Sequence, residues 1–203
     1  MYTYKKKQQK VHRRKAIFNT VLCLDISGSM TQTLSGSVTK FDGARSALTS
    51  MIHGKQINHP RDGIAIVVFS DNAAVISPFR FPNDPKLIHR MNKIRMGTYT
   101  NISSGLILAM KLHQQRPPHF CKNIILATDG YPYPDDTREN VLSLARTAYI
   151  NRITIHTVGI GSDNTFDPVF LQQVAASTHN GRYWNVTDLA GFTNALIRAS
   201  DLA

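Results

Sequence analysis

Short apolar runs alternate with amphipathic stretches along most of this chain. Residues 20–24 (TVLCL), 63–69 (GIAIVVF) and 123–128 (NIILAT) are mostly apolar at successive positions, and 152–158 (RITIHTV) carries the β-branched Ile153, Ile155 and Val158. Each is too short for a buried helix and fits a strand covered on both faces. Between them apolar residues recur at helical spacing. Phe41, Ala44, Leu48, Met51 and Ile52 predict a helix over about 40–53. Ile102, Leu106, Met110 and His113 predict one ending before Pro117-Pro118, and 84–95 also reads as helical. Asp136 and Glu139 have capping-box spacing ahead of a helix carrying Val141, Leu144, Ala145 and Ala148. A helix near 167–177 then leads to a strand at 182–186. Thr187 or Asp188 starts a final helix to about residue 200, with Leu189, Phe192 and Leu196 inward. The first strand is placed at about 16–25, and Ser70-Asp71-Asn72 turns the second into a partner at 73–79.

Strands alternating with helices imply an α/β fold: a doubly wound, mostly parallel, Rossmann-like sheet with helices on both faces and one short antiparallel edge strand. In that winding the first strand and the one at 123–128 lie side by side at the switch point, where a crevice opens beyond their carboxyl ends. Asp25 and Asp129 stand at those two ends.

The run Asp25-Ile26-Ser27-Gly28-Ser29 places a carboxylate and two hydroxyls at alternate positions, with Gly28 giving the backbone freedom to turn. Oxygen-only ligands suit Mg²⁺ or Mn²⁺ and not zinc, which prefers nitrogen and sulfur. Two distant segments belong with this run: Gly97-Thr98-Tyr99-Thr100-Asn101-Ile102 ahead of a helix, and Thr128-Asp129-Gly130 after a strand.

Together the three segments resemble the von Willebrand factor A (VWA) family and its metal-ion-dependent adhesion site (MIDAS). That pattern is D-x-S-x-S, a Thr in a loop before a helix, and an Asp in a D-G step after the fourth strand. The resemblance spans roughly residues 16–200 and implies a metal set of Asp25, Ser27, Ser29, Thr100 and Asp129. Thr98 competes with Thr100; the family's Thr stands five residues before a helix glycine, as Thr100 does before Gly105. It further implies that neutral hydroxyl ligands leave the ion electron-poor, so that an Asp or Glu carboxylate of a partner completes its shell. For a soluble member the family implies partners such as AAA+ ATPases or kinase and phosphatase modules. Tyr99, Tyr131 and Tyr133 flank the ligand segments as a candidate partner-binding rim, since tyrosine is enriched at interfaces.

Charge adds one feature. The chain of 203 residues has a net charge of +11, and residues 1–15 hold seven Lys/Arg and no acid. The remaining 17 basic and 13 acidic residues leave a body of only +4. The chain therefore divides into a basic leader, 1–15, read as flexible, and a VWA domain, 16–203. Such a leader attracts nucleic acid, anionic lipid or acidic protein through its field. No apolar stretch approaches the ~20 residues of a membrane span, and the polar N-terminus does not read as a secretory signal. Cys23 and Cys121 read as reduced thiols, which points to the cytoplasm.

Other classes fit less well. A metal-dependent hydrolase or phosphatase also starts from an Asp after a first strand, but needs a second carboxylate where Ser27 stands. There is no G-x-x-x-x-G-K-[ST] and no G-x-S-x-G. Gly159-Ile160-Gly161 lacks the third glycine of a dinucleotide fingerprint, and the eight histidines have no zinc spacing. An extracellular adhesin domain excised from a longer chain is the alternative within binding proteins. The sequence is thus read as a non-enzymatic, Mg²⁺-dependent adaptor or assembly module.

Overall fold

The computed structural model describes residues 17–91, 94–132, 136–161 and 166–202. Its main sheet has six strands in the order β5-β4-β1-β6-β7-β8. The strands are β1 (Phe18–Asp25), β4 (Gly63–Phe69), β5 (Ala73–Arg80), β6 (Cys121–Thr128), β7 (Ile153–Ile160) and β8 (Tyr183–Val186). All neighbours run parallel except β4 and β5. β5 is as long as β1, and its register against β4 shifts twice near Pro78, a residue that edge strands tolerate.

The four central strands are buried on both faces: β1, β4 and β6 carry near-continuous apolar runs, and β7 also buries the polar Thr154, His156 and Thr157. Side-chain parity then splits the core in two. Leu22, Leu24, Ile64, Ile66 and Ile125 face α1 (Lys40–Asn58), α2 (Lys86–Met91) and α6 (Leu189–Ser200). Val21, Cys23, Val67, Ile124 and Leu126 face α3 (Ile102–Gln114), α4 (Arg138–Ile150) and α5 (Pro168–Ala176). One residue of slip in β1 would exchange these faces, so its register is strongly fixed.

Helix starts follow local chemistry. Thr39, Asn101, Asp167 and Asp188 each accept the backbone N–H three residues on, satisfying a donor that the helix itself leaves free. Asp188, not Thr187, starts the last helix. α4 corrects the sequence reading: Thr137 is its cap, accepting from Asn140, while Asp136 accepts the Ser103 N–H of α3 at 2.9 Å. The helix expected over 84–95 is described only as α2, 86–91. The Ser/Thr/Gly-rich segment after Ser29 is not plain loop. It holds a 3₁₀ turn (Gly28–Thr31) and a small antiparallel pair, β2 (Thr33–Ser35) and β3 (Val38–Thr39), turned at Gly36 with φ +58°.

β1 and β6 pair from Phe18↔Cys121 to Leu24↔Ala127. The chain runs from β1 outward to β4 on one side and returns to β6 on the other, so the switch point lies between β1 and β6. Asp25 and Thr128 end these strands on the same edge of the sheet. Residues 1–16, including the basic leader, lie outside the described residues.

Candidate metal centre

Asp25 is fully buried at the end of β1. Its Oδ1 accepts the Ser27 N–H at 2.8 Å, and its Oδ2 accepts the Thr128 hydroxyl at 2.6 Å. Burial pushes the carboxyl up to about 7; the hydrogen bonds from Thr128 and Ser27 oppose this, and the nearby Asp129 charge adds to it. A carboxylate so placed gains from an adjacent cation.

The turn beyond Asp25 aims two hydroxyls the same way. Ser27 Oγ lies 3.1 Å from Ser29 Oγ, which donates to Asp129 Oδ1 at 2.7 Å. Asp129 is 1% exposed. Oxygen ligands at ~2.0–2.1 Å in octahedral array stand about 3 Å apart from one another. The separations in this row match that spacing, and every donor is a hard oxygen. The residues therefore fit Mg²⁺ or Mn²⁺ on geometry and donor type.

Thr100 comes from the third segment. It is buried and sits over Gly130: a Cβ added there would lie 3.1 Å from Thr100 Oγ1. Thr98 is exposed, and its N–H donates to Asp71 Oδ2 at 3.0 Å. The backbone fixes this loop against both neighbours. Gly97 N–H donates to Ile26 O, and Asn101 N–H to Ser70 O, each at 2.8 Å. Asp71 is held below the usual carboxylate range chiefly by the Thr98 N–H, and further by the Tyr99 N–H and the Ser70 hydroxyl. Asp71 thus positions the loop that carries Thr100.

Lys40 is the largest departure from the sequence reading. It opens α1, is 3% exposed, and its ammonium donates to Asp129 Oδ2 at 2.6 Å and to Gln32 Oε1 at 3.0 Å. Lys40, Gln32, Thr128 and Asp71 were not singled out from sequence. Thr128 enters that reading only as the residue preceding Asp129, and Asp71 only as part of a turn. Of the aromatic rim, Tyr99 and Tyr131 are both 46% exposed beside the site segments, and Tyr133 lies outside the described residues.

Two other features compete for attention and hold none of these five side chains. His59, Asp62 and Asp201 offer ligand atoms within 4.8 Å of one another. The Lys55 ammonium already bridges Asp62 (2.7 Å), Asp201 (2.9 Å) and the Ser200 carbonyl (3.1 Å), so the cluster is an ion-pair clamp between the ends of α1 and α6. A 640 Å³ groove lined by Arg182, Trp184 and Arg198 lies between the start of β8 and the end of α6.

An open, mostly parallel sheet with ligand-competent side chains gathered beyond its switch point belongs to the ligand-binding α/β class. Within that class the chain is a member of the von Willebrand factor type A domain family, whose model matches residues 19–197. That family is one of protein-interaction modules. No curated protein matches the sequence. Among solved structures, the VWA domain of SpRpn10 superposes with a TM-score of 0.76 at 14% identity, covering 92% of this chain and 97% of that one. A von Willebrand factor type A protein from Catenulispora acidiphila gives 0.78 at 19%, covering 92% and 42%. An aerotolerance-related membrane protein from Bacteroides fragilis gives 0.74 at 16%, covering 91% and 98%. Likeness at such identities speaks for the fold. No helix among the described residues is long and apolar enough to cross a membrane.

Proposed function

We propose that this protein is a divalent-cation-dependent binding module that captures an Asp or Glu side chain of a partner protein. Asp25, Ser27, Ser29, Thr100 and Asp129 would hold Mg²⁺, or Mn²⁺, as a MIDAS. The observation that carries the reading is the row of oxygens from Ser27 through Ser29 to Asp129, spaced 3.1 and 2.7 Å apart and set beside the buried Asp25. When bound, the ion supplies a Lewis-acidic position that favours an anionic oxygen. The protein supplies the rest. Asp25 is fixed by the Ser27 amide and Thr128 hydroxyl, so it acts from one orientation. Ser27 and Ser29 offer neutral oxygens that leave the cation's charge largely unspent. Tyr99 and Tyr131 stand beside the opening, where aromatic contact would select the partner.

Binding rather than catalysis is the favoured reading. Ser27 stands where the hydrolases considered above place their second carboxylate, and Lys40 engages Asp129. AAA+ ATPases and kinase or phosphatase modules are the partner classes we favour, in the cytoplasm. Two thiols that cannot bridge support that compartment: the β1–β6 register puts Cys23 opposite Leu126, five residues from Cys121.

The test pairs calorimetry with affinity capture. Asp25→Ala and Ser29→Ala are expected to lose Mn²⁺ binding at least tenfold while keeping the fold by circular dichroism. Partners captured by the original chain in Mg²⁺ should be released by EDTA and missed by both variants. Unchanged Mn²⁺ affinity in Asp25→Ala would sink the assignment.

A further inference from the structure

Lys40 is an improbable residue for its position. Lysines are almost never fully buried without a partner, and a cation at the first turn of a helix opposes the helix dipole. Ordering its long side chain costs conformational entropy as well. Its surroundings show what offsets these costs. The ammonium reaches Asp129 Oδ2 at 2.6 Å, and the same carboxylate's Oδ1 receives Ser29 Oγ at 2.7 Å. Lys40 therefore holds one edge of a carboxylate whose other edge faces the hydroxyl row. Gln32 fixes the ammonium from the far side, with its Oε1 at 3.0 Å, and the Lys40 N–H donates to the Gln32 carbonyl at 2.9 Å. The strand pair β2–β3 brings the chain back so that Gln32 and Lys40 lie together.

Charge gives the arrangement a consequence. Asp25 and Asp129 are both buried and would repel each other without a cation. With both ionised, Lys40 leaves the group at a net charge of one negative unit. A divalent ion then brings it to one positive unit rather than to neutrality. We propose that Lys40 is a built-in counter-cation of the metal centre: it keeps the two carboxylates assembled before an ion arrives, and it lowers the affinity of the site for that ion. This rests on the metal reading above. A loaded site with one positive charge to spare suits an incoming carboxylate better than a neutral one would.

The experiment uses Mn²⁺ alone as the probe, in calorimetry on the whole chain, with melting curves in EDTA and in saturating Mn²⁺. Lys40→Met and Lys40→Gln remove the charge. Lys111→Gln removes an equal charge from an exposed position on α3. Both Lys40 variants are expected to bind Mn²⁺ at least tenfold tighter than the original chain, and Lys111→Gln to bind it equally. In EDTA the Lys40 variants should melt lower, and Mn²⁺ should raise their midpoints by more than it raises the original's. If Lys40→Met does not fold in EDTA, its recovery on adding Mn²⁺ is the same result. Equal or weaker Mn²⁺ binding by both Lys40 variants overturns the counter-cation role and leaves the metal reading intact. No Mn²⁺ binding by any of the four proteins overturns the metal reading and this inference together.

Discussion

A methyl group added at Gly105 would stand 2.7 Å from Phe69 Cδ1 and 2.8 Å from Cys23 Sγ. Both neighbours are fully buried strand residues, so neither can swing aside. The glycine lets α3 lie close on β1 and β4, and that approach sets the depth of Thr100 at the start of the helix. Overpacking of this kind typically costs about 1–3 kcal/mol. Gly105→Ala is therefore expected to lower the urea midpoint by that scale and also to weaken Mn²⁺ binding, because α3 must rise and take Thr100 with it. A loss of stability with unchanged Mn²⁺ affinity would show that the Thr100 loop does not depend on the depth of the helix. Gly97 makes a second close approach: a Cβ there would fall 2.0 Å from Ser70 Oγ. Backbone bareness at these two points, together with the Asp71 carboxylate that accepts the Thr98 N–H, brings the third segment to the other two.

At the scale of elements, α3 meets β6 through a buried histidine. His113 Nε2 donates to the Asn123 carbonyl at 2.9 Å when the neutral ring carries its proton there. Its Nδ1 is buried and has no partner among the described residues. A second proton would have nowhere to bond, and burial, aided by the Lys122 and Arg116 charges and opposed by the Asn123 bond, lowers this imidazole to about 4. Its folded value lies below its unfolded one, so its contribution is full above about pH 6.5 and is lost as pH falls towards 4. His113→Gln keeps an N–H donor and does not titrate. Urea unfolding at pH 7, 5.5 and 4.5 should show the original chain losing roughly 2 kcal/mol more than the variant across that range. Parallel curves would mean that the ring is already free to protonate in place. Much of this level is legible in the sequence, because the centres of β1, β4 and β6 declare themselves as apolar runs, although β7 interleaves buried polar residues. The β1–β6 neighbourhood follows from the alternation of strands and helices. Asp136 misled for a physical reason: an Asp three residues before a Glu reads as its own helix's cap, and nothing local says that it serves α3 instead. Lys40 was illegible likewise, since a lysine after a hydroxyl-rich segment ordinarily faces water, and only the fold brings Asp129 within reach.

For the whole molecule the uneven charge matters most. Seven of the 24 basic residues fall in the first fifteen positions. The described chain begins its pairing just beyond them: the Ile17 carbonyl accepts the Cys121 N–H, and the Phe18 N–H donates to Asp62. Removing residues 1–15 is expected to leave the melting midpoint and the Mn²⁺ affinity unchanged. Any lost affinity for an acidic partner or polyanion should lie in the association rate and should vanish as salt rises and the Debye length falls from ~10 Å at 0.1 M to ~3 Å at 1 M. Stopped-flow association at the two salt concentrations checks this. A lowered melting midpoint in the shortened chain would place the leader within the folding unit and move the boundary at residue 15.

The chain has two cysteines, and they differ in access. Cys23 is sealed in the core between β1 and α3, whereas Cys121 is half-buried at the amino end of β6. Eight residues of strand at about 3.3 Å each separate Cys121 from the edge where Asp129 stands, roughly 25 Å away. Burial and the Asp62 charge hold the Cys121 thiol above its ordinary range, so it reacts slowly and best in mild alkali. The molecule thus carries its own single-point handle for immobilisation. Tethered through Cys121 to a maleimide surface, it would lie with the floor of the sheet against the support and the edge that carries Asp25 and Asp129 towards solution, an orientation suited to surface-based screening for acidic ligands.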